Sequence, residues 1–200
     1  MLRVNRRWID EVVVQHGVCP FAAPSLAAPG QVQRRVLSSL DEARGAIDEL
    51  AGDAQLAVGL LIFPRVTLDA AAFDRACVPL RAAHAAFVAA VFHPETPFDT
   101  ASAAQAVGFF RRAPDPTLQI VRAQVLDDVR GNKDVAGKFL FDYSAAAWQE
   151  LERRRERVPL SERIARDNHR LLTEKIAALQ AIYDDIRADR DRSYARAFGG

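Results

Sequence analysis

Apolar side chains recur at every fourth position at the start of the chain, at Val4, Trp8 and Val12, and the spacing runs on toward Gln15 and His16. That period predicts a helix over residues 3–16, with Gly17 placed to end it. From Cys19 to Gly30 the period is lost among three prolines, Pro20, Pro24 and Pro29, and this stretch is expected to be a loop. Val32–Ser38 reads as a short strand and Asp41–Leu50 as a helix ending near Gly52. Leu56–Phe63 is a continuous apolar run stopped by Pro64, the pattern of a strand buried on both faces.

The Ala-rich stretch Leu68–Ala86 predicts a helix with Asp69 in its first turn, kinked or divided at Pro79. Phe87–Phe92 reads as a second buried strand that ends at His93-Pro94. Ala101–Phe110 predicts a short helix, Pro114-Asp115-Pro116 a rigid extended turn, and Thr117–Leu126 a strand. Residues 131–137 look loop-like, Tyr143–Arg157 helical, and a last helix spans about 160–190. In that helix Ile164, Leu171, Leu172, Ile176, Leu179, Ile182 and Ile186 form one apolar stripe. The expected fold class is α+β, a sheet of about four strands covered by helices. Residues 1–126 would be its core, and 127–200 a helical extension packed on the same domain.

Bulk composition narrows the partners. With 27 basic and 26 acidic side chains among 200 residues the formal net charge is +1, which gives no general pull toward nucleic acid or an anionic membrane. No apolar run approaches the roughly 20 residues that span a bilayer. The two cysteines, Cys19 and Cys77, form no zinc spacing and are too few for a disulfide framework, so the cytoplasm is the expected compartment. The basic run Arg153–Arg157 is interrupted by Glu156 and lacks stacking aromatics, and it reads as a solvated helix face.

Three segments together resemble an uncharacterised bacterial family, a domain of unknown function. They are Trp8-Ile9 followed by Cys19-Pro20-Phe21-Ala22, Phe92-His93-Pro94 with Phe98 after it, and Arg112-Ala113-Pro114-Asp115-Pro116-Thr117-Leu118 followed by Arg122-Ala123. The resemblance covers most of residues 5–126 and continues faintly to Ile164 and Asn168. Ala113 stands where the family carries Ser, Ala123 where it carries Glu, and Gly108-Phe109-Phe110 where it is polar. The stretch around 127–157 is unlike the family. The resemblance implies no reaction.

The same residues carry the candidate chemistry. Cys19 precedes a proline, which presents its sulfur on a stiff turn. Cys-Pro pairs recur as thiolate ligands of haem iron, and a cysteine beside cations can also be a nucleophile; the alternative is a structural thiol. His93, at a strand's carboxyl end, suits a metal ligand or general base, or else a histidine satisfied by backbone. Arg111, Arg112 and Arg122 suit an anionic group, or else are solvated charges. Phe98 is core or pocket wall, Asn168 a family-pattern position, and His169 a candidate second metal ligand or a surface residue. Glu95 and Asp99 could complete a metal site. His16 and His84 read as helix-surface residues.

These features lead to an expected small-molecule enzyme with oxidative, iron- or haem-assisted chemistry. Cys19, His93 and Arg112 would be its catalytic group, Cys19, His93 and His169 its metal ligands, and Arg111, Arg122, Phe98 and Asn168 its substrate or cofactor contacts. The alternatives are a metal-free enzyme built on the Cys19 thiolate, and a non-enzymatic domain that binds a small ligand or a partner. The stripe on the last helix is a candidate homodimer surface.

Overall fold

The computed structural model describes residues 1–20, 22–82, 84–125 and 160–198. Helix α1 (Leu2–Trp8) runs directly into a π-helical segment, Ile9–Val14. The four-residue spacing puts Val4, Trp8 and Val12 on the buried side, and Gly17 leaves the segment at φ +64°, a conformation that favours glycine. A helix, α2 (Ala22–Ala27), forms where a loop was expected. Its proline, Pro24, is the third residue of the helix, where the missing N–H would have had no intrahelical acceptor, so it does not act as a breaker.

Four strands follow: β1 (Val32–Val36), β2 (Val58–Ile62), β3 (Phe87–Phe92) and β4 (Thr117–Arg122). They form one mixed sheet in the order β1-β2-β4-β3, with β1 parallel to β2 and β4 antiparallel to both of its neighbours. β1, β2 and β3 therefore all point the same way, and their carboxyl ends share a rim with the amino end of β4. Ile62 and Phe92 each pair with Thr117 there. β2 is buried along most of its length, as its apolar run predicts. β3 is instead an edge strand, and Val88 is 50% exposed. An apolar run reports burial but not rank in the sheet.

Alternation along the strands divides the core. One face carries Leu61, Phe63, Phe87, Val91, Leu118 and Ile120 against α3 (Ala43–Ala51) and α4 (Ala70–Ala76). Asp69 caps α4 by accepting from the Ala72 N–H at 2.7 Å. Pro79 falls in the first turn of α5 (Val78–Arg81), which divides the Ala-rich stretch as expected. The other face carries Leu60, Ile62 and Phe92 against Trp8 and Val4 of α1 and against the last helix, α7 (Leu160–Phe198). A third cluster joins α7 to α6 (Ala103–Phe110) through Leu172, Leu179, Phe109 and Phe110, with Val18 packed among them.

Part of the α7 stripe is thus buried within its own chain. Leu172, Leu179 and Ile186 are fully covered, each contributing about 1.5–3 kcal/mol of apolar burial; Ile176 faces outward. Charge also ties α7 to α1. Asp189 accepts from Arg3 at 2.6 Å and Arg7 at 2.9 Å, and these bonds hold its carboxyl well below the usual carboxylate range. No helix among the described residues is long and apolar enough to cross a membrane. The loop expected at 131–137, the helix at Tyr143–Arg157 and the basic run lie outside the described residues.

Gly108 shows how close the packing is at the rim. A Cβ there would stand 2.0 Å from the Pro97 carbonyl oxygen and 3.0 Å from Phe98. Alanine would gain up to about 1 kcal/mol in helix propensity, but the clash is with backbone and cannot be relieved by a rotamer. Gly108→Ala should destabilise the protein by about 1–3 kcal/mol, read as a lower urea midpoint; an unchanged or higher midpoint would show that the loop yields freely.

Candidate functional site

The rim where β2 and β3 end and β4 begins gathers two of the three motif segments. Phe92 closes β3 and packs edge-on against Trp8 at 5.6 Å. The next residue, His93, is 4% exposed and its ring lies 5.9 Å from that of Phe73 in α4. Its Nε2 is 2.9 Å from the Leu68 carbonyl oxygen, which can only accept, so Nε2 carries the proton. Nδ1 then accepts from the Glu95 N–H at 3.1 Å. Both nitrogens are engaged by backbone of the two loops that leave β2 and β3. The ring has no lone pair left for a metal, and His93 as seated here is not a metal ligand. Burial pushes its pKa below the ordinary histidine value; the Leu68 carbonyl and the carboxylates of Glu95 and Asp69 oppose that shift, and Arg187 adds to it.

Arg112 lies on the other side of the same turn. Its Nε donates to the Pro94 carbonyl at 3.2 Å and its Nη1 to Gln180 Oε1 at 2.9 Å. The guanidinium sits over the Tyr183 ring at 4.2 Å, with Phe98 at 5.4 Å and Phe109 at 5.7 Å. Tyr183 Oη stands 3.1 Å from the Pro94 oxygen and 3.2 Å from the Ala113 oxygen. Burial raises the Tyr183 pKa, while Arg187 and Arg112 both pull it back. No ion pair among the described residues involves Arg112 or Arg187.

A second polar knot fixes α7 against this rim. Asp115, between its two prolines, is 1% exposed. It accepts from Arg190 Nε at 2.6 Å and from the Tyr194 hydroxyl. Burial and the Asp115 carboxylate both push the Tyr194 pKa up, which keeps that hydroxyl a donor. Thr117 Oγ1 donates to the Asp115 carbonyl at 2.9 Å and closes the turn before β4.

The remaining sequence candidates lie elsewhere. Arg122 ends β4 at the opposite end of the sheet, about 17 Å from Thr117 at the usual rise per strand residue. It donates to the carbonyls of Leu56 at 2.9 Å and Asp53 at 2.8 Å, beside the end of α3, so it cannot share an anion with Arg112. The Arg111 side chain is exposed, and only its carbonyl serves the rim, accepting from the His93 N–H at 2.9 Å. Cys19 is half-buried and follows Val18 of the α6–α7 cluster, while the His93 ring packs against Phe73 of α4. Asn168 donates to the Val18 carbonyl at 3.1 Å, and His169 Nε2 to the Thr100 carbonyl at 2.8 Å, both fastening loops to α7. Among the described residues no group of three His, Cys, Asp or Glu side chains is placed to hold a metal.

Tyr183, Arg187, Arg190 and Tyr194 were missed. Their spacing of four, three and four puts them on one helix face, a line visible in the sequence but hidden beside the more apolar stripe. The protein is thus an α+β domain in which Arg112, from the turn between α6 and β4, packs on Tyr183 of the last helix beside the strand ends. Its chain belongs to the family described as "Protein of unknown function (DUF1415)", which matches residues 1–137. The match ends before α7, so the four helix residues lie outside it. No curated protein and no solved structure matches the chain.

The Asp115 knot predicts a ranking. Tyr194→Phe removes one donor from a buried carboxylate and should cost about 1–3 kcal/mol. Asp115→Ala leaves Arg190 without its main partner and should cost more, on the order of 3 kcal/mol or above. Urea unfolding measures both, and equal, negligible losses would mean that the knot does not hold α7.

Proposed function

We propose that this domain binds a small molecule through an anionic group, a carboxylate or phosphate, held by Arg112 together with Arg187. The supporting observation is Arg112, stacked on the Tyr183 ring at 4.2 Å with no carboxylate partner among the described residues, and Arg187, likewise without one, a single helical turn beyond Tyr183 on α7. Like charges brought together on a protein surface favour a counter-ion, and the planar fork of arginine suits the two oxygens of a carboxylate or phosphate. Arg112 is pre-set for this. Two of its donors are fixed by Pro94 and Gln180 and its face by Tyr183, so little side-chain freedom remains to be lost on binding. The position also favours the reading, since ligands of open sheets gather outside the carboxyl ends of strands.

The oxidative, iron- or haem-assisted alternative requires His93 to give up one of its backbone hydrogen bonds. The Cys19 thiolate alternative, with His93 as its base, requires the Glu95 N–H to leave Nδ1. Anion binding requires neither change.

Calorimetric titration with sulfate, pyrophosphate and short dicarboxylates tests the proposal. At least one should bind in a salt-sensitive way. Arg112→Ala and Arg187→Ala should each weaken binding by about 10-fold or more, the worth of one charged hydrogen bond. Arg44→Ala, which removes a remote exposed charge from α3, should have little effect. No binding of any probe, or equal losses in all three variants, would overturn the proposal.

A further inference from the structure

The turn that fixes Arg112 also contains His93, and one peptide unit joins them. The Pro94 carbonyl and the Glu95 N–H belong to the same planar group. At one end of that plane, the carbonyl oxygen receives Arg112 Nε at 3.2 Å and the Tyr183 hydroxyl at 3.1 Å. At the other end, the N–H donates to His93 Nδ1 at 3.1 Å. This second bond exists only while Nδ1 is bare. A doubly protonated imidazole would point N–H at N–H across that distance, and Nε2 cannot turn away because it is engaged with Leu68. The ring is buried, so no solvent is at hand to separate the two donors. The Glu95 N–H must rotate away, and a rigid peptide plane cannot rotate at one end only: the Pro94 oxygen leaves Arg112 and Tyr183 as the N–H leaves His93.

We propose that the Pro94–Glu95 peptide is a two-position element, set by the protonation state of His93, that aims Arg112 at its anionic ligand when the imidazole is neutral and releases it when the imidazole is charged. His93 is then a positioning residue acting through the peptide and not a group that touches ligand. The consequence for binding rests on the anion reading above; the peptide movement does not. The charged groups facing His93 are Glu95 on its own turn, Asp69 at the start of α4 and Arg187 on α7. The first two favour the protonated ring, and Arg187 with burial opposes it, so the neutral state holds at neutral pH and the change falls below the ordinary histidine range. The sign follows from linkage. Binding that needs the neutral ring is strongest above the His93 midpoint and declines as pH falls through it.

Two substitutions separate the ring's roles. Asn carries its side-chain oxygen near the place of Nδ1 and does not titrate, so His93→Asn keeps an acceptor for Glu95 at every pH. Gln reaches toward the place of Nε2 and leaves Glu95 without its acceptor, as an acidic solution would. Sulfate is a suitable probe because it stays dianionic between pH 4.5 and 8. For the wild type, sulfate affinity should fall about 10-fold, the worth of Arg112, with a midpoint equal to that of His93 followed by NMR of its ring nitrogens. The Glu95 amide signal should move with the same midpoint. His93→Asn should be tight and flat with pH, and His93→Gln weak and flat.

A Glu95 amide that ignores the His93 titration overturns the proposal even if neither variant folds, and so does His93→Asn retaining the wild-type pH dependence. A Glu95 amide that follows His93 in a protein that binds no sulfate supports the switch and removes the anion reading. Sulfate binding without a His93-linked change does the reverse.

Discussion

A carboxylate that is almost wholly excluded from water must find its counter-charges inside the protein, and Asp115 finds both of its donors on α7. That requirement decides where the last helix lies. With Arg190 and Tyr194 drawn to the start of β4, the helix turns that precede them are laid across the rim. Tyr183 then falls beneath the Pro94 carbonyl, with Arg187 one helical turn further along α7. Breaking a buried ion pair of this kind is costly because it leaves an uncompensated charge, and the two flanking prolines stiffen the backbone on either side of Asp115. The apolar contacts of Leu172, Leu179 and Ile186 supply the affinity of α7 for the sheet. The knot selects the register.

The rim itself is assembled from backbone as much as from side chains. His93 joins the loops after β2 and β3, Thr96 Oγ1 returns to the His93 carbonyl, and Arg111 offers its carbonyl to the His93 N–H. Gly108 lets α6 approach the Pro97 carbonyl closely enough to bring Phe109 under Arg112. Such a site holds few mobile side chains. Its geometry is set by the two loops, and a small change in either would be felt at the guanidinium.

Much of the fold was legible because its signals are local. The spacing of Val4, Trp8 and Val12, the apolar run of β2 and the division at Pro79 are each decided within a few residues. α2 is hidden because a proline signals a break everywhere except in a helix's first turn, where Pro24 lies. The rank of β3 was illegible because strand order is a property of the whole sheet. The candidate site was half legible for the same reason. The turn around Phe92-His93-Pro94 and Arg112 could be found by motif, but the separation of Arg122 from Arg112 is topological. No spacing rule reports that β4 carries its two ends to opposite rims.

The insertion of β4 between β2 and β3 has a consequence for how the chain acquires its shape. The strand that completes the sheet is the last of the four to be synthesised, yet it occupies an inner lane. Until residue 122 is available, β3 has no neighbour with which to hydrogen-bond, and its Phe87 and Val91 have half a floor to rest on. Early closure of the molecule around β1, β2 and the first helices would shut out the strand that must enter. Completion of the sheet therefore waits on β4, and contacts this distant in sequence slow the search for the native state. A chain built in this order is most exposed to mispairing with a second copy of itself during the interval when β2 is formed and its lane is empty.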